Sequence, residues 1–143
     1  EFLGSKGDPW TNHSSLPGGD IDVDGQLDLQ NKLQKKYPFL TQETLKRAVR
    51  SYGTISFDIF GDAANIDSLG RHFGSGLYER EVNYLIQKEW SRTSDDILFR
   101  RSKLGLSFSK DEVTQLDQYL DDFFKANSQS KNDELKSKMV ETV

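Results

Sequence analysis

Apolar residues recur at helical spacing along most of this chain. Leu45, Ala48, Val49 and Tyr52 lie on one helical face, as do Val82, Leu85, Ile86 and Trp90, and again Val113, Leu116, Leu120, Phe123 and Phe124. Three amphipathic helices follow from those stripes. Their ends are signed as well. Thr41 is placed to cap the second helix, with Leu40 and Leu45 as a hydrophobic staple, and Gly53 supplies its stop at positive φ. Ser109 and Glu112 form a capping box ahead of the last helix, flanked by Phe108 and Val113. A first helix runs from about Gln26 to Lys36 and must end near Tyr37, because Pro38 pushes the residue before it out of the helical region. Between Trp90 and Gly105 a further helix is expected, capped by Ser94, with Asp95 and Asp96 in its first turn, Arg100, Arg101 and Lys103 near its end, and Gly105 as its stop.

The remaining stretches carry weaker signals. Residues 1–24 hold Gly4, Gly7, Pro9, Pro17, Gly18 and Gly19, a density of breakers that describes an irregular arm. Residues 55–76 read as helical turns and loops. After Asn127 only Leu135, Met139, Val140 and Val143 make a weak stripe, so the tail should fray. No segment sustains the alternation of a strand. The expected fold is a small all-α bundle of about five helices over residues 25–127, with an extended arm before it and a polar tail, at most a short helix, over 128–143.

Composition narrows the chemistry. There are no cysteines among the 143 residues, so disulfides and thiolate metal sites are excluded. His13 and His72 lie too far apart to suggest a zinc site. A net charge of −4 argues against nucleic-acid binding. Lys32, Lys35, Lys36, Lys46, Arg47 and Arg50 face only Glu43 within residues 29–53, which reads as a solvated helix face before it reads as a phosphate-binding patch. No apolar run is long enough to span a membrane. The chain opens Glu-Phe-Leu without a methionine, from which a piece of a longer protein is expected.

One window resembles a calcium-binding loop. In DIDVDGQLDLQN, residues 20–31, Asp20, Asp22, Asp24 and Asp28 fall at positions one, three, five and nine, with Gly25 at six. Asn31 replaces the bidentate carboxylate at position twelve, and Leu16-Pro17-Gly18-Gly19 cannot be the incoming helix. An acidic linker with Asp24 as helix cap is the simpler reading, although weak calcium binding remains the alternative. The glycine-rich stretch Gly70–Gly76 lacks the lysine and leading strand of a phosphate loop, and His72 has no carboxylate partner visible in sequence. No catalytic constellation emerges.

The distinctive segment is EWSRTSDDILFRRSKLGL, residues 89–106. Its spacing makes Trp90 and Ile97 core anchors and pairs Asp96 with Arg100 at i, i+4. Arg92, Arg101 and Lys103 have no partner at helical spacing. They are either solvated or bidentate donors to a partner's carboxylates.

That segment, together with LPGGDI, KKYPFL, the Ser51-Tyr52-Gly53 triplet and LYEREVNYLIQKEW, resembles the C-terminal helical domain of the FAD-dependent, respiratory glycerol-3-phosphate dehydrogenases from about Trp10 to Phe124. The resemblance implies a parent enzyme that oxidises sn-glycerol 3-phosphate to dihydroxyacetone phosphate and passes electrons through FAD to quinone, at the inner face of the cytoplasmic membrane. It implies that FAD and substrate are held by an upstream flavin domain, for which residues 1–24 are the linker, so that this fragment carries no catalytic, cofactor or metal residue. Trp90, Arg92, Asp96, Arg100, Arg101 and Lys103 are then the residues expected to shape or seat the domain. Mitochondrial members bear calcium-binding hands after this domain, whereas the Asp20 window precedes it. A free-standing helical interaction module, weakly calcium-binding through residues 20–31, is the competing expectation.

Overall fold

A computed structural model describes residues 14–140, with the side chains of residues 14–129. The described residues form two compact units, divided between Ser68 and Leu69.

The first unit is a helical hairpin closed by a short third helix. Helix α1, Gln26–Lys36, buries Leu29 and Leu33, and helix α2, Gln42–Tyr52, buries Leu45, Ala48, Val49 and Tyr52. Thr41 caps α2 as expected, its hydroxyl accepting from the Thr44 N–H at 3.2 Å. Asp24 does not cap α1. Gly25 holds that position in helical conformation, with its N–H already bonded to Asp22 O at 2.8 Å, so a tight turn leads into the helix where a capping side chain was expected. Tyr37 ends α1 and is fully buried. Its ring meets Phe60 of α3, Ser56–Phe60, edge-on at 5.3 Å, and its hydroxyl donates to Gly61 O at 2.8 Å.

Gly53 ends α2 at φ 55°, ψ −131°. A methyl group there would sit 1.9 Å from the Gly18 carbonyl oxygen, which itself accepts from the Thr54 N–H at 3.2 Å. The LPGGD arm is therefore laid against the end of α2 by backbone contact that only glycine permits. Gly53→Ala should cost at least about 1–3 kcal/mol, the strain of a side chain at this φ alone, and the clash with the Gly18 carbonyl should displace and expose the arm. Urea unfolding with limited proteolysis of residues 14–25 would check both.

The second unit holds a structure the sequence did not announce. Strands β1, His72–Gly74, and β2, Leu77–Tyr78, form a small antiparallel hairpin across the turn Ser75-Gly76, with φ of 46° and 73°. Both turn residues take positive φ, as a tight two-residue hairpin requires. The all-α class stands, since the hairpin is only an accessory to the helices. Helix α4, Glu79–Glu89, buries Val82, Leu85 and Ile86, and helix α5, Lys110–Val140, buries Leu116 and Leu120. Tyr119 of α5 donates to Asn83 Oδ1 of α4 at 2.8 Å and packs edge-on against Phe73 of the hairpin at 5.2 Å. The Ser109–Glu112 capping box forms as read, with the Ser109 N–H donating to Glu112 at 2.7 Å. The helix then continues to Val140, well past the point where fraying was expected. The side chains of the weak stripe Leu135–Val143 lie outside the described residues, as does the arm before residue 14. No helix among the described residues is long and apolar enough to cross a membrane.

Candidate functional site

Residues 89–106 fold into a compact polar knot between α4 and α5. Chain direction changes at Trp90, which takes φ 57°, ψ 26° and ends α4. The expected core anchor is thus overturned: Trp90 is 80% exposed, because the left-handed turn swings its Cβ off the α4 stripe that its spacing seemed to continue. Ile97 is fully buried, as expected.

The next helical segment starts one residue earlier than its assigned cap. Thr93, not Ser94, is the cap: its hydroxyl accepts from the Asp96 N–H at 3.2 Å, while the Asp96 carboxylate accepts from the N–H groups of Arg92 at 3.0 Å and Thr93 at 3.1 Å. This is a reciprocal capping box. Asp96 also accepts from Arg100 at 2.8 Å, the i, i+4 pair read from sequence. The Arg92 N–H above all, then Thr93 and Arg100, hold the Asp96 carboxyl below its ordinary range, against the opposing effect of burial.

From Asp96 to Arg101 the coil is π-helical, and the Ile97 carbonyl accepts both the N–H and the hydroxyl of Ser102, at 2.8 and 2.7 Å. Such wide turns occur mostly in short insertions, frequently at functional sites. Lys103, not Gly105, takes the left-handed position that ends it, at φ 61°, with Nζ donating to Phe99 O at 2.9 Å. Gly105 serves a different need, since a methyl there would lie 2.3 Å from the Phe99 ring.

None of the three cations without a partner at helical spacing is idle. Arg101 bridges to the Glu89 carboxylate at 3.0 Å and to its carbonyl at 3.0 Å, twelve residues away in sequence. Arg92 lies 4.9 Å over the Phe124 ring. The structure thus brings Asp96, Arg100 and Arg101 to the lining of one cleft of 260 Å³, with Trp90 and Glu89. Sequence reasoning missed two of the six lining residues, Glu89 and Ser91, the latter 1% exposed with a hydroxyl that lacks a partner among the described residues. Only burial identifies Ser91.

Of the acidic window, Asp20, Asp22 and Asp28 line one cavity of 530 Å³ with Lys32 and Thr54, while the remaining candidates lie apart from it. Asp20 accepts from the Thr54 hydroxyl, which lowers its pKa, and Asp28 pairs with Lys32 at 2.7 Å. Among the described residues no group of three or more acidic or histidine side chains is arranged to hold a metal ion. Of the basic block, Lys36 covers the Tyr37 and Phe57 rings at 5.2 and 5.4 Å, whereas Lys35, Lys46 and Arg50 are exposed. His72 stacks against Tyr78 at 4.7 Å and accepts from the Gly76 N–H at 3.3 Å, a hairpin role. Its closeness to Glu112, a carboxylate that no spacing rule links to it, adds to the hydrogen bonds from Ser109 in lowering the Glu112 pKa.

A family model described as the C-terminal domain of alpha-glycerophosphate oxidase matches residues 9–129. The aerobic glycerol-3-phosphate dehydrogenase of Escherichia coli (strain K12) is 40% identical over 114 residues, 80% of this chain and 23% of that protein. A glycerol-3-phosphate dehydrogenase of Pseudomonas aeruginosa is 40% identical over 119 residues, 83% of this chain and 23% of its own length. The D-erythritol 1-phosphate dehydrogenase of Brucella abortus is 36% identical over 115 residues, again 80% of this chain and 23% of that protein. The chain therefore spans less than a quarter of the length of the curated relatives it matches.

Proposed function

The chain belongs to the family of the C-terminal domain of alpha-glycerophosphate oxidase, and from that membership we propose that it is the terminal helical domain of a longer flavoprotein dehydrogenase. The parent oxidises sn-glycerol 3-phosphate to dihydroxyacetone phosphate, transfers the electrons to FAD and onward to quinone, and sits peripherally on the inner face of the cytoplasmic membrane. The observation that carries this reading is the identity of 40% to two glycerol-3-phosphate dehydrogenases over at least 80% of this chain.

FAD does not fit this chain itself. Its glycine-rich segment is a hairpin, and the helix that follows opens with Glu79 and Glu81, which would repel a pyrophosphate at the helix N-terminus. The cofactor and the substrate are therefore assigned to the upstream domain, and this fragment is catalytically silent alone.

The test is an absorption spectrum of the full-length parent, taken anaerobically before and after glycerol 3-phosphate. Oxidised flavin bands that bleach on addition are expected, with the 143-residue chain colourless. Bleaching by erythritol 1-phosphate alone would move the substrate to that of the Brucella relative, and a parent without flavin would sink the assignment.

A further inference from the structure

We infer that the face built around Trp90 is a docking surface, and that its occupant is the upstream part of the same polypeptide, which meets it with apolar side chains and uncharged hydrogen-bonding groups. The inference rests on the reading that this chain is the C-terminal domain of a longer protein. Three large apolar side chains stand exposed within residues 90–106: Trp90 at 80%, Phe99 at 48% and Leu106 at 96%. A bulky residue at positive φ is a strained exception, and such strain persists only where the surroundings enforce it. Here the strained turn achieves the opposite of internal packing, since it turns the indole away from the core. A large exposed apolar side chain rimmed by polar groups marks a contact surface, and Trp90 lines its cleft with Arg100 and Arg101, the composition of an interface hot spot.

The cleft beside Trp90 narrows the occupant's chemistry. Glu89 neutralises Arg101 and Asp96 neutralises Arg100, at 3.0 and 2.8 Å, so the lining carries two closed ion pairs and no net charge. A phosphate or a lipid headgroup would meet only arginines whose charge Glu89 and Asp96 already compensate. An uncharged partner leaves both pairs intact and can supply an acceptor to the indole N–H of Trp90, which stands 80% exposed at the rim of the cleft. The source of that partner is set by length: each of these relatives is more than four times as long as its matched segment, and the matching domain is the C-terminal one. Most of such a protein lies upstream, available in cis at high effective concentration.

Hydroxyl-radical labelling of the full-length parent, read by mass spectrometry at Trp90 and Leu106 against the 143-residue chain, tests the surface. Oxidation at Trp90 should fall at least fivefold in the parent. Equal labelling in both would overturn the proposal, and so would shielding already present in the 143-residue chain, because the cover would then come from within it or from a second copy. Trp90→Gly in the parent relieves the strained turn while removing the ring, so it should speed tryptic release of the domain at least tenfold; an unchanged release rate would refute the surface. A parent that bleaches with glycerol 3-phosphate yet leaves Trp90 open to label refutes the surface alone. A parent without flavin refutes the enzyme assignment, and a shielded Trp90 would still uphold the surface.

Discussion

Replacing Tyr37 by alanine is expected to lower stability by about 3–5 kcal/mol, the range for removing a large aromatic side chain from a packed core. Tyr37 reaches that range because both α1 and α3 depend on it. It closes α1 at the residue Pro38 forbids to be helical, its N–H bonds to Leu33 O at 2.7 Å, and its ring fills the space beside Phe60 of α3. The side chain's polar task falls to its hydroxyl, which donates to Gly61 O at 2.8 Å, with Phe57 O at 3.4 Å, and so closes the turn after α3. Tyr37→Phe separates the two contributions. It keeps the ring and removes one hydrogen bond, so a loss of about 1 kcal/mol is expected, rising toward 2 if water cannot reach the Gly61 carbonyl. Urea unfolding followed by circular dichroism would measure both variants. Equal losses would mean the hydroxyl, not the ring, anchors the first unit.

Tyr37 was legible as the end of α1 because Pro38 forbids it a helical conformation, though its burial was not, and the capped helices were legible as well. Thr41 and the Ser109–Glu112 box act over three residues, within reach of local rules. The hairpin was not legible: strands of three and two residues are too short to display alternation. Trp90 failed for a more instructive reason. A stripe predicts burial only while the helix that generates it lasts, and α4 ends at Glu89, one residue before the indole. The left-handed stop at residue 103 was assigned to Gly105 by propensity, but Lys103 reaches back to the Phe99 carbonyl and occupies the slot, leaving the glycine to accommodate a ring. In the candidate site, Asp96–Arg100 follows a helical rule and was foreseen. Arg101–Glu89 spans twelve residues across a reversal of the chain, and no periodicity reaches that far.

Asp96→Ala should be the most damaging single change in that site, at about 2–3 kcal/mol. Two of the bonds it removes are charge-assisted caps to the Arg92 and Thr93 N–H groups, and loss of a capping side chain alone costs about 1–2 kcal/mol. The ion pair to Arg100 contributes little by comparison. Its guanidinium is 75% exposed, and such pairs supply about 0–1 kcal/mol, so Arg100→Ala should cost well under half as much as Asp96→Ala. The pH dependence provides an independent check. The Asp96 pKa is lowered in the folded chain, so its contribution is fully present above the unfolded value, about 3.9, and fades as pH falls through the lower folded value. The gap between wild type and Asp96→Ala should therefore be constant near neutrality and shrink below about pH 4. A gap that persists in acid would mean the carboxylate acts through packing, not through charge. In the full-length parent the same substitution loosens the turn that carries Trp90 and frees Arg100 from its partner. The domain should then be released faster by protease than stability loss alone dictates, which a stability-matched core variant such as Leu116→Ala would reveal as an excess over its own release rate.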